Sequence, residues 1–269
     1  MVVLIIALAA GAGTGGALWG TETAGWGWSL FWGILAFGVV QAAGGYLVQR
    51  KVKAAMQEVQ DILLAGQKKM QAKMARWQLR PPGSLKAATA ELERDRREFA
   101  AEAIAVSEKL HRFDIWVPMM KRQIATAQFQ LHWMTGDFKA VDALMDKALF
   151  FDPAMGAMKL ARMQMLGAPV DEMKKTYAKT VRRLRYNQNV VPAAAWSWIL
   201  LKRGDADAAF KVLNDALEKS DNQVLKANRD HLANNRPSHF SNAGLGDQWY
   251  ALRLEEPKYS QPRQRMKWR

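Results

Sequence analysis

The sequence predicts an all-α protein: an N-terminal transmembrane helical hairpin, an antiparallel pair of helices behind it, and then a stacked array of short helices. Three observations carry this. Two apolar stretches, 1–18 and 26–48, stand almost side by side at the start of the chain. Apolar residues then recur at spacings of three, four and seven as far as Phe113. Further on, the helix-turn-helix pattern of 135–153 returns at 203–221. The expected domains are 1–49, 50–114, 115–223 and a C-terminal capping segment with a basic tail, 224–269.

The hairpin comes from hydropathy and charge. A helix needs about 20 apolar residues to cross the hydrocarbon core. The second stretch meets that length and the first is marginal. Thr21-Glu22-Thr23-Ala24-Gly25 between them leaves room only for a tight turn. Arg50, Lys51 and Lys53 follow the second stretch at once, and neither Lys nor Arg precedes it. Positive flanks stay on the cytoplasmic side, so both ends are expected inside, at a bacterial inner membrane. Trp19, Trp26, Trp28 and Trp32 cluster near the turn, as an interfacial belt does. Two fates of the first stretch stand open: a retained helix, or a cleaved signal peptide, which ordinarily carries a basic start. Gly11 and Gly15, then Gly16 and Gly20, lie four apart and suit close helix packing, within the hairpin or against another transmembrane helix.

Composition bounds the rest. Glu22 is the one charged residue of 1–49; the remaining chain has 39 cations against 24 acids, or +15. Such a charge suits anionic neighbours, and equally a solvated surface with a positive-inside bias. Cysteine is absent, which excludes disulfides, thiol nucleophiles and thiolate metal sites.

From 49 to 80 no proline intervenes. Met56, Val59, Leu63, Gly66, Met70 and Trp77 form a narrow apolar stripe. The membrane span is expected to run into this helix as one rod that carries the later helices off the bilayer. Pro81-Pro82-Gly83 ends it and Ser84 caps the next helix. There Leu85, Leu92, Phe99, Val106 and Phe113 repeat every seven residues, with Asp95 interrupting the seam. The pair reads either as an antiparallel coiled coil or as the first two helices of a larger bundle.

The segment 135–153 matches 203–221: Gly136-Asp137 with Gly204-Asp205, Ala148-Leu149 with Ala216-Leu217, and Asp152-Pro153 with Ser220-Asp221. Gly136, Asp137, Phe138, Ala148, Leu149, Asp152 and Pro153 resemble the second half of a tetratricopeptide repeat. The unit 190–223 keeps Gly204, Asp205, Ala209, Ala216 and Leu217 but lacks the aromatic and the proline. The first half of the unit 122–155 departs from the family, with Gln128-Phe129 in place of the usual Leu-Gly pair, and the unit between, 156–189, has the repeat length and a turn at Gly167-Ala168-Pro169 without the family signature. The resemblance implies an α-solenoid over 115–223 whose first helices line a groove for a peptide or helix of a protein partner. The groove candidates are then Gln123, Thr126, Gln130, Trp133, Gln164, Trp198 and Leu201, with Trp133, Trp196 and Trp198 equally readable as core aromatics. Gly136, Asp137, Gly204 and Asp205 are the structural turn residues.

The stretch 174–185 places Lys174, Lys175, Lys179, Arg182, Arg183 and Arg185 around Tyr177, Val181 and Leu184. It is a basic amphipathic helix, fit for anionic lipid, for phosphate backbones, or for plain solvation. The tail should end in a short helix near Asn235, a turn-rich stretch at 237–246 that includes Gly244-Leu245-Gly246, a docking segment at 247–252, and a disordered basic end at 257–269. No catalytic motif, metal-ligand spacing or cofactor loop stands out. His231 and His239, near Asp230, Ser241 and Asp247, form the one cluster from which a nucleophile–base site could be drawn. The expectation is a membrane-tethered, non-enzymatic scaffold; the alternatives are an RNA-, ribosome- or anionic-lipid-binding protein, using 174–185 and the 258–269 tail, and an enzyme at His231/His239.

Overall fold

A computed structural model describes residues 2–21, 25–80 and 84–257. The expected turn at 22–24, the Pro81-Pro82-Gly83 break and the basic end from 258 lie outside the described residues, as does the Leu85 side chain. Among the described residues all regular structure is helical. Two compact units divide the chain, 1–149 and 150–269.

Unit 1 opens with α1 (Val2–Gly20) and α2 (Trp26–Leu79). Both are long and apolar enough to cross a membrane, and their most apolar windows are only 17% and 6% buried. The core helix of a soluble protein would be mostly buried, which these are not. The two helices pack through glycine. A Cβ on Gly11 would stand 2.8 Å from the Gly33 carbonyl oxygen, and one on Gly33 would stand 2.9 Å from that of Gly11. Gly15 meets the Ser29 carbonyl oxygen, whereas Gly16 and Gly20 face open space. The close-packing row is therefore Gly11 and Gly15 alone.

α2 runs unbroken for 54 residues, about 80 Å at 1.5 Å per residue. α3 (Leu85–Glu108) starts where the Ser84 hydroxyl oxygen accepts from the Ala87 N–H. It runs antiparallel to α2: Lys73 meets Glu91 and Asp95, Phe99 covers Gly66, and Lys109 reaches Glu58. Val59, Ala100, Ala103 and Val106 close the seam together with Leu131 from α4 (Met120–Thr135). A second cluster joins Ala55, Leu110, Phe113, Met120 and Ile124. With α4 contributing to both clusters, the larger-bundle reading describes this region, and Asp95 lies buried in its seam.

The rod of α2 does not lead directly into the later helices of unit 1. α3 doubles back along it, and the short 3₁₀ turn at Lys109–Phe113 settles beside Val52, Ala55 and Met56. α4 thus begins at the same end of the rod where the apolar stretch stops. The helix α5 (Phe138–Leu144) completes unit 1.

Unit 2 holds α6 (Pro153–Met165), α7 (Val170–Val181), α8 (Val190–Lys202), α9 (Ala206–Leu217), α10 (Gln223–Ala233) and a one-turn α11 (Asp247–Tyr250). α8 is its centre: Ala193, Ala194, Ala195, Trp196 and Ile199 are all buried. Alanine lets neighbours approach this helix closely, and α6, α7, α9 and α11 all pack against it. Gly156 on α6 plays the same part against Thr180 on α7.

Candidate functional site

The repeat turns can be compared bond by bond. After α4, the Asp137 N–H donates to the His132 carbonyl (3.0 Å), and Gly136 sits in the left-handed region at φ 76. After α8, the Asp205 N–H donates to the Leu200 carbonyl (3.0 Å), with Gly204 at φ 88. Donor, acceptor and glycine all recur at one common offset along the chain. Each turn is a Schellman closure, which needs a residue free to adopt positive φ. Asp137 and Asp205 then cap the next helix, accepting from the N–H groups of Ala140 (3.2 Å) and Ala208 (2.9 Å).

The same closure follows α6 and α10. Ala168 donates to Met163 (2.9 Å) beside Gly167 at φ 72, and Arg236 donates to His231 (2.8 Å) beside Asn235 at φ 52. The offset between these two is the one that separates Gly136 from Gly204. Asparagine tolerates the left-handed region better than most side chains, so it hid the fourth turn from a search for glycine. The exits differ more. Asp152 caps α6 with bonds from Ala154 (2.7 Å) and Met155 (3.1 Å). The corresponding cap of α10 is Asn222, bonded by Val224 (3.0 Å) and Leu225 (3.1 Å). Asn222 lies just beyond the Ser220-Asp221 pair that the sequence match selects.

The groove candidates separate into distinct fates. Gln123 and Gln130 are exposed on α4. Thr126 is a structural clamp: its hydroxyl donates to the Arg122 carbonyl (2.6 Å) and accepts from the Leu149 N–H (2.7 Å). Trp133 is corrected to a core residue. It is 2% exposed, stacked on Phe129 and edge-on to Phe138. Trp196 is core too, stacked on Tyr177. Burial first, and Asp215 second, raise the Tyr177 hydroxyl above its ordinary pKa.

In unit 2, Gln164, Trp198 and Leu201 are half-buried along α6 and α8. The Gln164 side-chain oxygen accepts from Arg203 Nε (3.1 Å) and Nη2 (3.0 Å), which ties the end of α6 to the end of α8. Trp198 is partly covered by the chain itself. Its indole N–H donates to Glu255 Oε1 (2.8 Å), and the buried Trp249 donates to Oε2 of the same carboxylate (2.9 Å). Lys202 Nζ lies 5.3 Å from the Trp198 ring centre. The sequence reading missed Glu255 and Arg203, because a lone acid or cation has no spacing signature. The expected docking of 247–252 takes helical form here, with Trp249 and Leu252 buried.

Lys174, Lys175, Lys179, Arg182, Arg183 and Arg185 are all exposed, while Met173 and Thr180 face inward. The helix stops at Val181, so the three arginines fall at and beyond its C-terminus rather than within it. Cations there are favoured by the helix dipole.

His231 and His239 come within 5.5 Å, ring centre to ring centre. Two other members of that cluster, Asp230 and Ser241, are engaged elsewhere. Asp230 accepts from Arg229 (2.6 and 2.9 Å), and the Ser241 hydroxyl oxygen accepts from the Ala243 N–H (3.3 Å). Among the described residues no group of His and acids is arranged to hold a metal ion. No protein-family model, curated protein or solved structure matches the chain.

Proposed function

We propose that the chain is a membrane-tethered, tetratricopeptide-like scaffold that holds a protein partner at the cytoplasmic face of a bacterial membrane. The observation that carries this is the recurrence of one turn chemistry at Gly136, Gly167, Gly204 and Asn235, in two pairs that share one separation along the chain. Repeated helix pairs of this kind bury their faces by stacking and leave an extended surface for partners. In unit 2 that surface is assigned to α6 and α8, which carry Gln164, Trp198 and Leu201, with Arg203 at the end of α8 bonded to Gln164. Its mixture of amide, guanidinium and aromatic groups suits a peptide or helix of a partner protein.

The tether is the α1–α2 pair. Its exposed Leu4, Ile5, Leu8, Trp28, Phe31 and Ile34 would be a severe liability in water and are ordinary in lipid. The cations at 50, 51 and 53 favour the cytoplasmic side for the helices after them. Beside the Gly11–Gly33 crossing lies an apolar cleft of about 580 Å³, floored by Gly15 and Gly16 and walled by Trp19 and Trp26. That is a suitable seat for a neighbouring transmembrane helix, including one from a second copy.

Photo-crosslinkers at Gln164 and Leu201, followed by purification in mild detergent, test the scaffold. A specific adduct that disappears when Trp198 is changed to alanine is expected. Recovery of the protein alone, with neither partner nor homo-oligomer, would count against it. A second reading rests on the six exposed cations of α7 and its C-terminal turn: contact with anionic phosphate, whether lipid or RNA. Binding that weakens steeply with salt, and weakens further in Arg182→Gln/Arg183→Gln, would support it.

A further inference from the structure

The connection between α3 and α4 has an unusual chemistry. Residues 114–119 read Asp-Ile-Trp-Val-Pro-Met, between Arg112 and the Lys121-Arg122 pair. Turns between surface helices are ordinarily polar. Here Ile115 is 64% exposed and Met119 49% exposed, and Pro118 is exposed between them. Met119 is also held at φ 63, a region that residues other than glycine seldom occupy. The turn is not loose. Val117 packs against the cluster of Ala55, Leu110, Phe113 and Met120, so the turn is anchored from beneath while Ile115 and Met119 point outward.

Its position gives those side chains a setting. The Ile115 carbonyl oxygen accepts from the backbone N–H of Val2 at 3.3 Å. That N–H belongs to the first turn of α1, where helix donors have no partner within the helix. Val3 of α1 lies against Gly44 of α2. The turn therefore sits at the level where the apolar stretch of α2 gives way to Arg50, Lys51 and Lys53. All three are exposed, as are Arg112, Lys121 and Arg122. The neighbouring acids have other partners: the Asp114 carboxylate accepts from His111 Nδ1 (2.9 Å), and Glu58 faces Lys109 (3.3 Å). What remains outward is an apolar tip with exposed cations on both sides of it in the chain, and with Arg50, Lys51 and Lys53 of α2 near the same level.

We propose that this turn is a second membrane contact, in which Ile115, Pro118 and Met119 enter the headgroup–acyl boundary of an anionic phospholipid leaflet. The surrounding Arg50, Lys51, Lys53, Arg112 and Lys121 bind its phosphates. Apolar side chains flanked by cations are the composition that binds at this depth. The proposal rests on the reading that 26–48 spans the same bilayer. With that contact made, the α2 rod is held at two points, so its tilt and rotation are set by the base of the helical bundle and not by the span alone.

The absence of cysteine makes the test direct. Single cysteines at Ile115, Met119, Leu35 and Gln67 carry an environment-sensitive fluorophore in the full-length protein. The protein is reconstituted in mixed phosphatidylglycerol–phosphatidylcholine vesicles with spin-labelled quencher lipids. Ile115 and Met119 are already exposed, so their replacement leaves the core intact. Shallow-label quenching several-fold stronger at 115 and 119 than at 67, with deep-label quenching at 35, is the expected result. Quenching at 35 combined with free access of iodide to 115 and 119 overturns the proposal and leaves the span reading standing. Loss of lipid quenching at 35 overturns the span reading and this one with it. Shielding of 119 from iodide without lipid quenching assigns the turn to a protein partner and overturns the lipid contact. Equal shallow quenching at 119 in vesicles of phosphatidylcholine alone, or in Arg112→Gln/Lys121→Gln, overturns the part assigned to the net negative charge of the leaflet.

Discussion

Lys73 Nζ donates to Asp95 Oδ2 at 2.5 Å across the seam between α2 and α3. Asp95 stands where the seven-residue pattern calls for an apolar residue, and it is buried. Lys69 approaches its other oxygen at 3.8 Å, and Glu91 holds the far side of Lys73 at 2.6 Å. A charged pair set into a helical seam restrains register more readily than it adds stability, because only one alignment satisfies both charges. Shifting α3 by one seam position would leave Asp95 against apolar stripe residues of α2.

The pair has a defined pH window. The hydrogen bond from Lys73 lowers the Asp95 carboxyl below 3.8, and the bond to Asp95, then to Glu91, raises Lys73 above 10.5. The Asp95 contribution is complete above 3.8 and drains away as acid protonates the folded carboxylate. The Lys73 contribution is complete below 10.5 and is lost as base deprotonates the folded amine. Unfolding midpoints of the wild type and of Asp95→Asn, compared across pH in micelles, should differ by a constant amount near neutrality. That difference should shrink below 3.8.

Replacing both partners tests the register role. Asp95→Leu with Lys73→Met should fold with stability close to the wild type, whereas Asp95→Leu alone leaves Lys73 beside an apolar residue with Glu91 as its remaining partner. Cysteine pairs placed for the native register, such as Gly66 with Phe99, should crosslink cleanly in the wild type. They should give mixed products in the double variant.

The hairpin crossing depends on Gly11, Gly15 and Gly33 and not on Gly16 or Gly20. Gly33→Val should separate α1 from α2, since its Cβ alone would meet the Gly11 carbonyl oxygen at 2.9 Å. Overpacking of this kind costs about 1–3 kcal/mol. Gly16→Val and Gly20→Val, facing open space, should leave the hairpin intact. Fluorescence energy transfer between labels near the two helix ends reports the difference.

In unit 2, a Cβ at Gly156 would stand 2.7 Å from the Thr180 hydroxyl oxygen. Gly156→Ala should destabilise the unit by about 1–3 kcal/mol in denaturant unfolding, and Thr180→Gly should restore part of it. The turn itself is cheaper to damage: Asp205→Ala removes one helix cap and should cost about 1 kcal/mol.

Glu255 accepts from two indole N–H groups at once. Glu255→Ala should strand the Trp249 donor in the interior at a cost of about 1–3 kcal/mol and loosen the segment from 247 onward. Faster trypsin cleavage at Arg253, with a red shift of tryptophan emission, would register this.

Local chemistry was legible in the sequence by itself. Apolar length and flanking charge marked α1 and α2. The seven-residue seam marked α3, and Gly-Asp pairs marked two repeat turns, because each of these depends on residues close together in the chain. The glycine row at 11 and 15 was visible, but which glycines pack was not, since that depends on where Gly33 arrives from the other helix. Trp133 and Trp198 look alike in sequence. Only tertiary packing separates them, sealing the first among Phe129 and Phe138 and bringing Glu255 to the second from 57 positions away. Likewise an apolar run at 115–119 has no meaning until α3 doubles back and places it beside Val2. Helix periodicity fixes which face a residue occupies; what meets that face is decided by how the helices assemble.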